Sequence, residues 1–238
     1  MTHRATVRTT LIVITAILMG VVAVTASTAQ AQFGMSWRRT PTIAVISSTA
    51  GDARLSLVDE AVTFGDKTLE DVGSGFRLGQ VERLVQPVPE DALQLLSRSI
   101  LGGSHPVEIP PALRNPPRDI AILLGDSDFI SFAGPFDTTS KRVVGIKGAH
   151  FFPMNLPNVA RNIIAHELGH VIGLGHNDDP TKLMCGRPAS CRPDLFRSDA
   201  PRVFPVSDAE KQRLLRIYPA DWKPGSPGAH DSVPRADQ

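Results

Sequence analysis

The sequence has little cysteine, almost no net charge and no apolar run long enough to cross a bilayer. Two cysteines in 238 residues exclude a disulfide-dense scaffold. A formal net charge of +1 lacks the excess of basic residues that is typical of nucleic-acid-binding proteins, so we expect no nucleic-acid partner. The apolar run from Leu11 to Val24 is shorter than the roughly 20 residues of a transmembrane helix. Twenty prolines and 19 glycines indicate a loop-rich domain rather than a helical bundle.

Residues 1–31 have the pattern of a secretory signal. Arg4 and Arg8 precede the apolar run, and Ala29 to Ala31 supply small residues at a cleavage point. We therefore expect export to a secreted or periplasmic location, with an uncleaved membrane anchor as the alternative. Residues 32–222 then form the folded domain, and 223–238, which lack an apolar period, are expected to be a disordered tail.

Strand-like and helical patterns alternate along the domain. Apolar and β-branched runs predict strands at 42–48, 76–85, 119–124 and 142–151. Apolar periodicity predicts helices at 54–72, 89–101 and 158–174, and Ser207 with Glu210 forms a capping box that opens a last helix. This order of elements predicts an α/β or α+β layer fold.

The predicted helix at 158–174 carries the H-E-x-x-H motif, from His166 through Glu167 to His170. The two histidines lie one turn apart and 40° around the helix axis, so both imidazoles can reach one metal ion. His176 follows six residues later, and a continued helix would carry it away from that ion. Gly173 and Gly175 stand where the chain must turn back, because glycine accepts the left-handed conformation that ends a helix.

Three neutral imidazoles leave one position of a tetrahedral zinc site open, which is typical of a catalytic site. Glu167 adjoins the first ligand and can accept a proton from water as a general base. By composition alone, the whole pattern from His166 to His176 is expected in about one in 10⁵ chains of this length. We therefore predict one catalytic zinc, bound by these three histidines.

The extended motif H-E-x-x-H-x-x-G-x-x-H resembles the signature of the metzincin zinc proteases. Met184, eight residues after His176, matches their methionine-containing turn. The sequence around Met184 is most similar to that of the matrixin branch, although Asn177 replaces the serine that is usual after the third ligand. The resemblance implies a metzincin-like catalytic domain with a twisted mixed sheet, an active-site helix and a C-terminal helix. It gives Met184 a supporting role beneath the metal, with an ordinary core methionine as the alternative.

The same resemblance implies a substrate-binding edge strand over 142–151. The residues that would line the cleft are Ile146, Lys147, Gly148 and Ala149. Matrixins also hold structural zinc and calcium. His150 is the one loose match to a structural-zinc ligand, and an ordinary histidine at the end of a strand is the favoured interpretation. Asp126 and Asp128 could bind Ca²⁺, although a solvated turn is favoured.

Cys185 and Cys191 enclose a short loop just after Met184. In an exported protein such a pair predicts a disulfide, which would fix the wall below the metal. A thiolate acting on zinc is the alternative.

These observations predict an exported zinc endopeptidase that acts as a monomer on a protein or peptide substrate. In this reaction Glu167 takes a proton from the metal-activated water and passes it to the leaving amine. Membrane contact is expected only if the signal stays uncleaved. The alternatives are a zinc-binding surface or interaction module without turnover, and hydrolysis of something other than a peptide. Glu167 counts against the first alternative, because metal binding alone does not require it.

Overall fold

A five-stranded mixed sheet organises the chain. The computed structural model describes residues 36–102, 107–134, 141–186 and 200–225. The strands are β1 (Ile43–Ser47), β2 (Val81–Val85), β3 (Ile120–Leu124), β4 (Phe132–Gly134) and β5 (Arg142–Ile146). They lie in the order β2-β1-β3-β5-β4, with β4 antiparallel to β5 and all other neighbours parallel. The predicted α/β class with a mixed sheet is confirmed.

Helices cover both faces of this sheet. The helices are α1 (Arg54–Asp71), α2 (Glu90–Leu101), α3 (Pro157–Val171) and α4 (Asp208–Ile217), and a 3-10 turn spans Pro111–Leu113. Apolar side chains of α1, α3 and α4 share one core cluster with alternate residues of β1, β3 and β5. Those of α2 share a second cluster with the opposite face of the sheet. Because β1 and β3 are buried on both faces, their sequences are almost continuously apolar.

The predicted strand over 142–151 is wrong in length and in position. β5 ends at Ile146, and it pairs with β3 on one side and with β4 on the other, so it is an internal strand. After Ile146 the backbone turns: the Lys147 amide donates to Ser131 Oγ (3.1 Å), and the Gly148 amide donates to the Ser127 carbonyl (3.1 Å). The edge position on this side of the sheet belongs to β4, which the sequence analysis missed because three residues are too few to show an alternating pattern.

The other elements differ from prediction only at their ends. β2 begins at Val81 rather than at 76, because Phe76 and Leu78 already belong to the core and the Leu78 amide donates to Asp66 Oδ1. The capping box of α4 is confirmed: Ser207 accepts from the Glu210 amide, and the Glu210 carboxylate accepts from the Ser207 amide.

A buried arginine ties the carboxyl ends of the parallel strands together. Arg54 is 2% exposed, and its guanidinium donates to the carbonyls of Gly125 (2.7 Å) and Lys147 (2.9 Å). It also pairs with Asp52 at 2.6 Å. Gly125 follows β3 and Lys147 follows β5, so one side chain fixes the loops that leave both strands.

We expect Arg54→Ala to lower the free energy of unfolding by about 3–5 kcal/mol, because it leaves a carboxylate and two carbonyls without their buried donor. Urea unfolding followed by circular dichroism measures this. Arg98→Ala, on the exposed side of α2, is the matched control and should stay within about 0.5 kcal/mol of the parent. Equal losses in both variants would contradict the role given to Arg54.

Two asparagines on α3 hold the segment that precedes α4. Asn158 Nδ2 donates to the Ala200 carbonyl (2.9 Å), and Asn162 Nδ2 donates to the Arg202 carbonyl (3.0 Å). Asn162 Oδ1 also accepts from the Phe204 amide (2.8 Å). The two asparagines bind backbone groups of residues 200–204, as a neighbouring strand would. They therefore hold this segment against α3 from Ala200 onward.

Several predicted features lie outside the described residues. They are the signal at 1–31, Cys191, and all of the tail beyond residue 225. Within the described ranges, none of the helices combines the length and the apolar character needed to cross a membrane.

Candidate metal centre

The central helix α3 presents one face to the core and the other to a cluster of histidines. Its first position is Pro157, a residue suited to the start of a helix. Ile164, Leu168 and Val171 are at most 3% exposed and belong to the core. His166 and His170 lie on the other side of the helix, as the motif predicts.

The chain reverses directly after α3. Gly173 has a φ of +97°, and the Leu174 amide donates back to the Gly169 carbonyl (3.0 Å). This is the left-handed helix end predicted from Gly173, whereas Gly175 has no positive φ. The reversal brings the His176 ring to 4.7 Å from that of His170 and 5.2 Å from that of His166, between centroids.

The three imidazoles have the geometry of a metal site. One nitrogen from each of His166, His170 and His176 lies within 4.8 Å of the others, and the Nε2 atoms of His170 and His176 are 3.0 Å apart. Ligands bound tetrahedrally at 2.0–2.1 Å from zinc lie about 3.3 Å from one another. Within the described ranges, these three histidines form the group of potential ligands whose nitrogen atoms lie close enough together to bind one metal ion.

Hydrogen bonds to the other ring nitrogens orient two of the ligands. His166 Nδ1 lies 2.8 Å from the Leu183 carbonyl, and His170 Nδ1 lies 2.9 Å from the Leu174 carbonyl. A carbonyl only accepts, so each Nδ1 carries a proton, and in the neutral ring the lone pair that can bind a metal is then on Nε2. Burial lowers the pKa of His170 well below its usual value, with a further contribution from the nearby His166, and burial also lowers the pKa of His176. Neutral nitrogen donors of this kind fit zinc.

Glu167, which directly follows His166 in the sequence, is buried. The residue is 6% exposed, and burial raises the pKa of its carboxyl to about 8. Among the described residues its carboxyl has no hydrogen-bond or ion-pair partner. A buried carboxyl without a hydrogen-bond partner is costly to stability, which makes Glu167 a candidate functional group.

Met184 packs against the helix that carries His166 and His170. It is fully buried, and its side chain packs on Gly169, where a Cβ would overlap Met184 Sδ and lie 3.1 Å from Cε. The preceding residue, Leu183, provides the carbonyl that orients His166. The turn that contains Met184 therefore contacts α3 and orients His166, and the supporting role of Met184 beneath a metal stays a prediction.

Solved structures of other proteins are similar to this chain. No protein-family model and no curated protein matches the chain. A solved structure of archaemetzincin from Methanopyrus kandleri is similar to it, with a TM-score of 0.44 and 17% sequence identity, over 75% of this chain and 95% of that chain.

The residues predicted to bind substrate lie at the end of β5. Ile146 is fully buried, and its carbonyl accepts from the Gly125 amide (2.9 Å). The Lys147 ammonium pairs with Asp128 at 2.6 Å. Gly148 packs closely against the backbone of Asp126. Residues 146–148 thus use their polar groups within the protein and form no sheet edge; substrate contact by Ile146, Lys147, Gly148 and Ala149 stays a prediction.

The other predicted ligands are not part of the histidine cluster. The His150 ring packs on Phe151 at 4.1 Å between centroids. The carboxylate of Asp126 faces Arg54, and that of Asp128 faces Lys147. Each of the two carboxylates suggested as Ca²⁺ ligands is therefore paired with a cationic side chain of the protein. Cys185 is buried directly after Met184, and because Cys191 lies outside the described residues, their disulfide stays a prediction.

Trp37 supports the centre and was missed by the sequence analysis. Its indole Nε1 donates to the Val171 carbonyl (2.9 Å) at the end of α3, and its backbone amide donates to Tyr218 Oη (3.3 Å). The only sequence signal was an isolated tryptophan before the first strand. No spacing rule connects it to residues more than a hundred positions away.

Proposed function

We propose that this chain is a zinc-dependent endopeptidase of the metzincin type. One arrangement carries the proposal: three neutral imidazoles converge on a single point, and Glu167, whose carboxyl is buried, directly follows the first of them in the sequence. When bound, zinc supplies a Lewis acid that polarises a carbonyl and makes water a stronger acid. The sequence from His166 to Met184 resembles that of the matrixins, which favours the matrixin branch of this family. The signal pattern of residues 1–31 favours export.

In this reaction Glu167 moves the proton. Its carboxylate accepts a proton from the attacking water and donates it to the nitrogen of the leaving amine. The pKa of the carboxyl is high when only burial acts on it, and it falls when a cation occupies the neighbouring site, because a nearby positive charge favours the carboxylate. Within the described ranges no protein group binds this carboxyl, which leaves its oxygens available to water and substrate.

Zinc content and zinc removal test the proposal. We expect about one zinc per chain by elemental analysis, since one set of three imidazoles is present in the described residues. Casein hydrolysis should be lost when 1,10-phenanthroline removes the metal, and it should return when zinc is added. A chain that holds zinc yet cleaves no protein or peptide would instead favour a zinc-binding module without turnover. Two tightly held zinc ions would reveal a second site.

A further inference from the structure

The third ligand, His176, lies outside α3, so other elements must hold it in place. The next residue, Asn177, donates from Nδ2 to Glu210 Oε1 at 2.6 Å. Asn177 Oδ1 accepts from the Asp179 amide at 2.9 Å, which fixes the orientation of the side-chain amide. Glu210 is 7% exposed, and its second oxygen accepts from the Ser207 amide at 2.6 Å. Both oxygens of this carboxylate are therefore bound in defined directions.

The backbone of Asn177 connects this contact to the metal centre. Its amide donates to the Met184 carbonyl (2.8 Å), and its carbonyl accepts from the Gly186 amide (3.0 Å). Gly186 in turn lies against the His176 ring so closely that a Cβ would overlap it. A shift of Asn177 would consequently move His176 and the turn that contains Met184 together.

A second contact from the same helix holds the other end of the reversal. Arg213 Nε donates to the Gly173 carbonyl at 2.8 Å. Glu210 and Arg213 are three residues apart on α4 and share one face of that helix. The segment between the second and third ligands is thus held at Gly173 by a cation and at Asn177 by a carboxylate.

We propose that Glu210 and Arg213 of the C-terminal helix, together with Asn177, are positioning residues that place His176 and so set the zinc affinity of the site. This inference rests on the proposed zinc function, because a position for His176 matters only if the triad binds a metal. A purely structural role of α4 would change the stability of the fold without changing the affinity of the folded protein for zinc.

Exchanging the two partners gives the sharpest test. Asn177→Asp places two carboxylates against each other, and Glu210→Gln leaves one oxygen to serve both the Ser207 amide and Asn177. The combined Asn177→Asp/Glu210→Gln variant restores every bond: the new amide donates to the new carboxylate, which still accepts from the Asp179 amide, and the glutamine oxygen still accepts from Ser207. We expect Asn177→Asp to bind zinc 10–100-fold or so more weakly, and the double variant to recover most of that loss.

Arg213 is tested by the same measurement. Arg213→Ala removes the donor to the Gly173 carbonyl and should weaken zinc binding about tenfold, while Arg213→Lys keeps a donor and should lose less. Two exposed residues provide matched controls: Arg216→Ala on the same helix, and Asn155→Asp, which adds the same charge before α3. Both should bind zinc as the parent does.

Zinc affinity is measured by competition with a chromophoric chelator, Co²⁺ absorption reports the ligand geometry, and circular dichroism gives the melting temperature of the metal-free chain. Parental zinc affinity and parental Co²⁺ spectra in both Asn177→Asp and Arg213→Ala would overturn the inference while the proposed function stands. Failure of the double variant to recover affinity would also overturn it, because the exchange restores the hydrogen bonds. A parent chain that binds no zinc would overturn both the inference and the proposed function.

Discussion

Glu167→Gln should retain zinc and lose nearly all peptide hydrolysis, with kcat/KM lowered on the order of 10²–10⁴-fold. The amide keeps the shape and the buried position of the carboxyl, but it cannot take up the proton of water. The three imidazoles are unchanged, so metal content should stay near one zinc per chain. Casein hydrolysis and a fluorogenic peptide measure the rate, and elemental analysis measures the metal.

The control for this substitution is Glu70→Gln, which makes the same chemical change on the exposed side of α1 and should cleave at the parental rate. If Glu167→Gln also cleaved casein at the parental rate, Glu167 would not be the general base, although the metal site could remain as described. Loss of zinc together with activity would instead show that Glu167 acts through the ligands.

Gly186→Ala should weaken zinc binding by about 10–100-fold, although it adds only a single methyl group. A Cβ at this position would overlap Cδ2 and Cγ of the His176 ring, so the ring or the backbone must move. The Gly186 amide is bonded to the Asn177 carbonyl, which resists movement of the backbone. Displacement of the ring carries Nε2 away from the other two ligands.

Gly175→Ala is the matched control for Gly186→Ala. It makes the same substitution one residue before His176, where a Cβ would have no heavy atom within 4 Å and φ lies outside the left-handed region. Chelator competition should separate the two variants, with Gly175→Ala close to the parent. Parental zinc affinity in Gly186→Ala would mean that the third ligand tolerates a displaced ring, and the tight packing described here would then be unimportant for binding.

Local sequence rules found the parts of this molecule that depend on neighbouring residues. The helical spacing of His166 and His170, the reversal at Gly173 and the capping box of Ser207 and Glu210 all span a few positions, so periodicity and glycine stereochemistry are enough to predict them. The apolar runs of β1 and β3 were equally clear, because strands buried on both faces need apolar residues throughout.

Features that depend on distant residues could not be predicted in this way. β4 has three residues, and its place at the sheet edge follows from its pairing with β5 rather than from its own composition. The contact between Asn177 and Glu210 joins residues 33 positions apart, and Arg54 reaches a carbonyl 93 positions away. Charged and amide side chains are usually exposed, so nothing in the sequence marks these as buried connections.

The residues on either side of 187–199 are each held by the described part of the chain. Gly186 is bound to Asn177 at the metal centre, and Ala200 is held by Asn158 on the same helix that carries the ligands. Each of these anchors uses backbone groups of Gly186 and Ala200 and side-chain or backbone groups of α3 and its following turn. Substitutions within 187–199 consequently leave the groups that form both anchors unchanged.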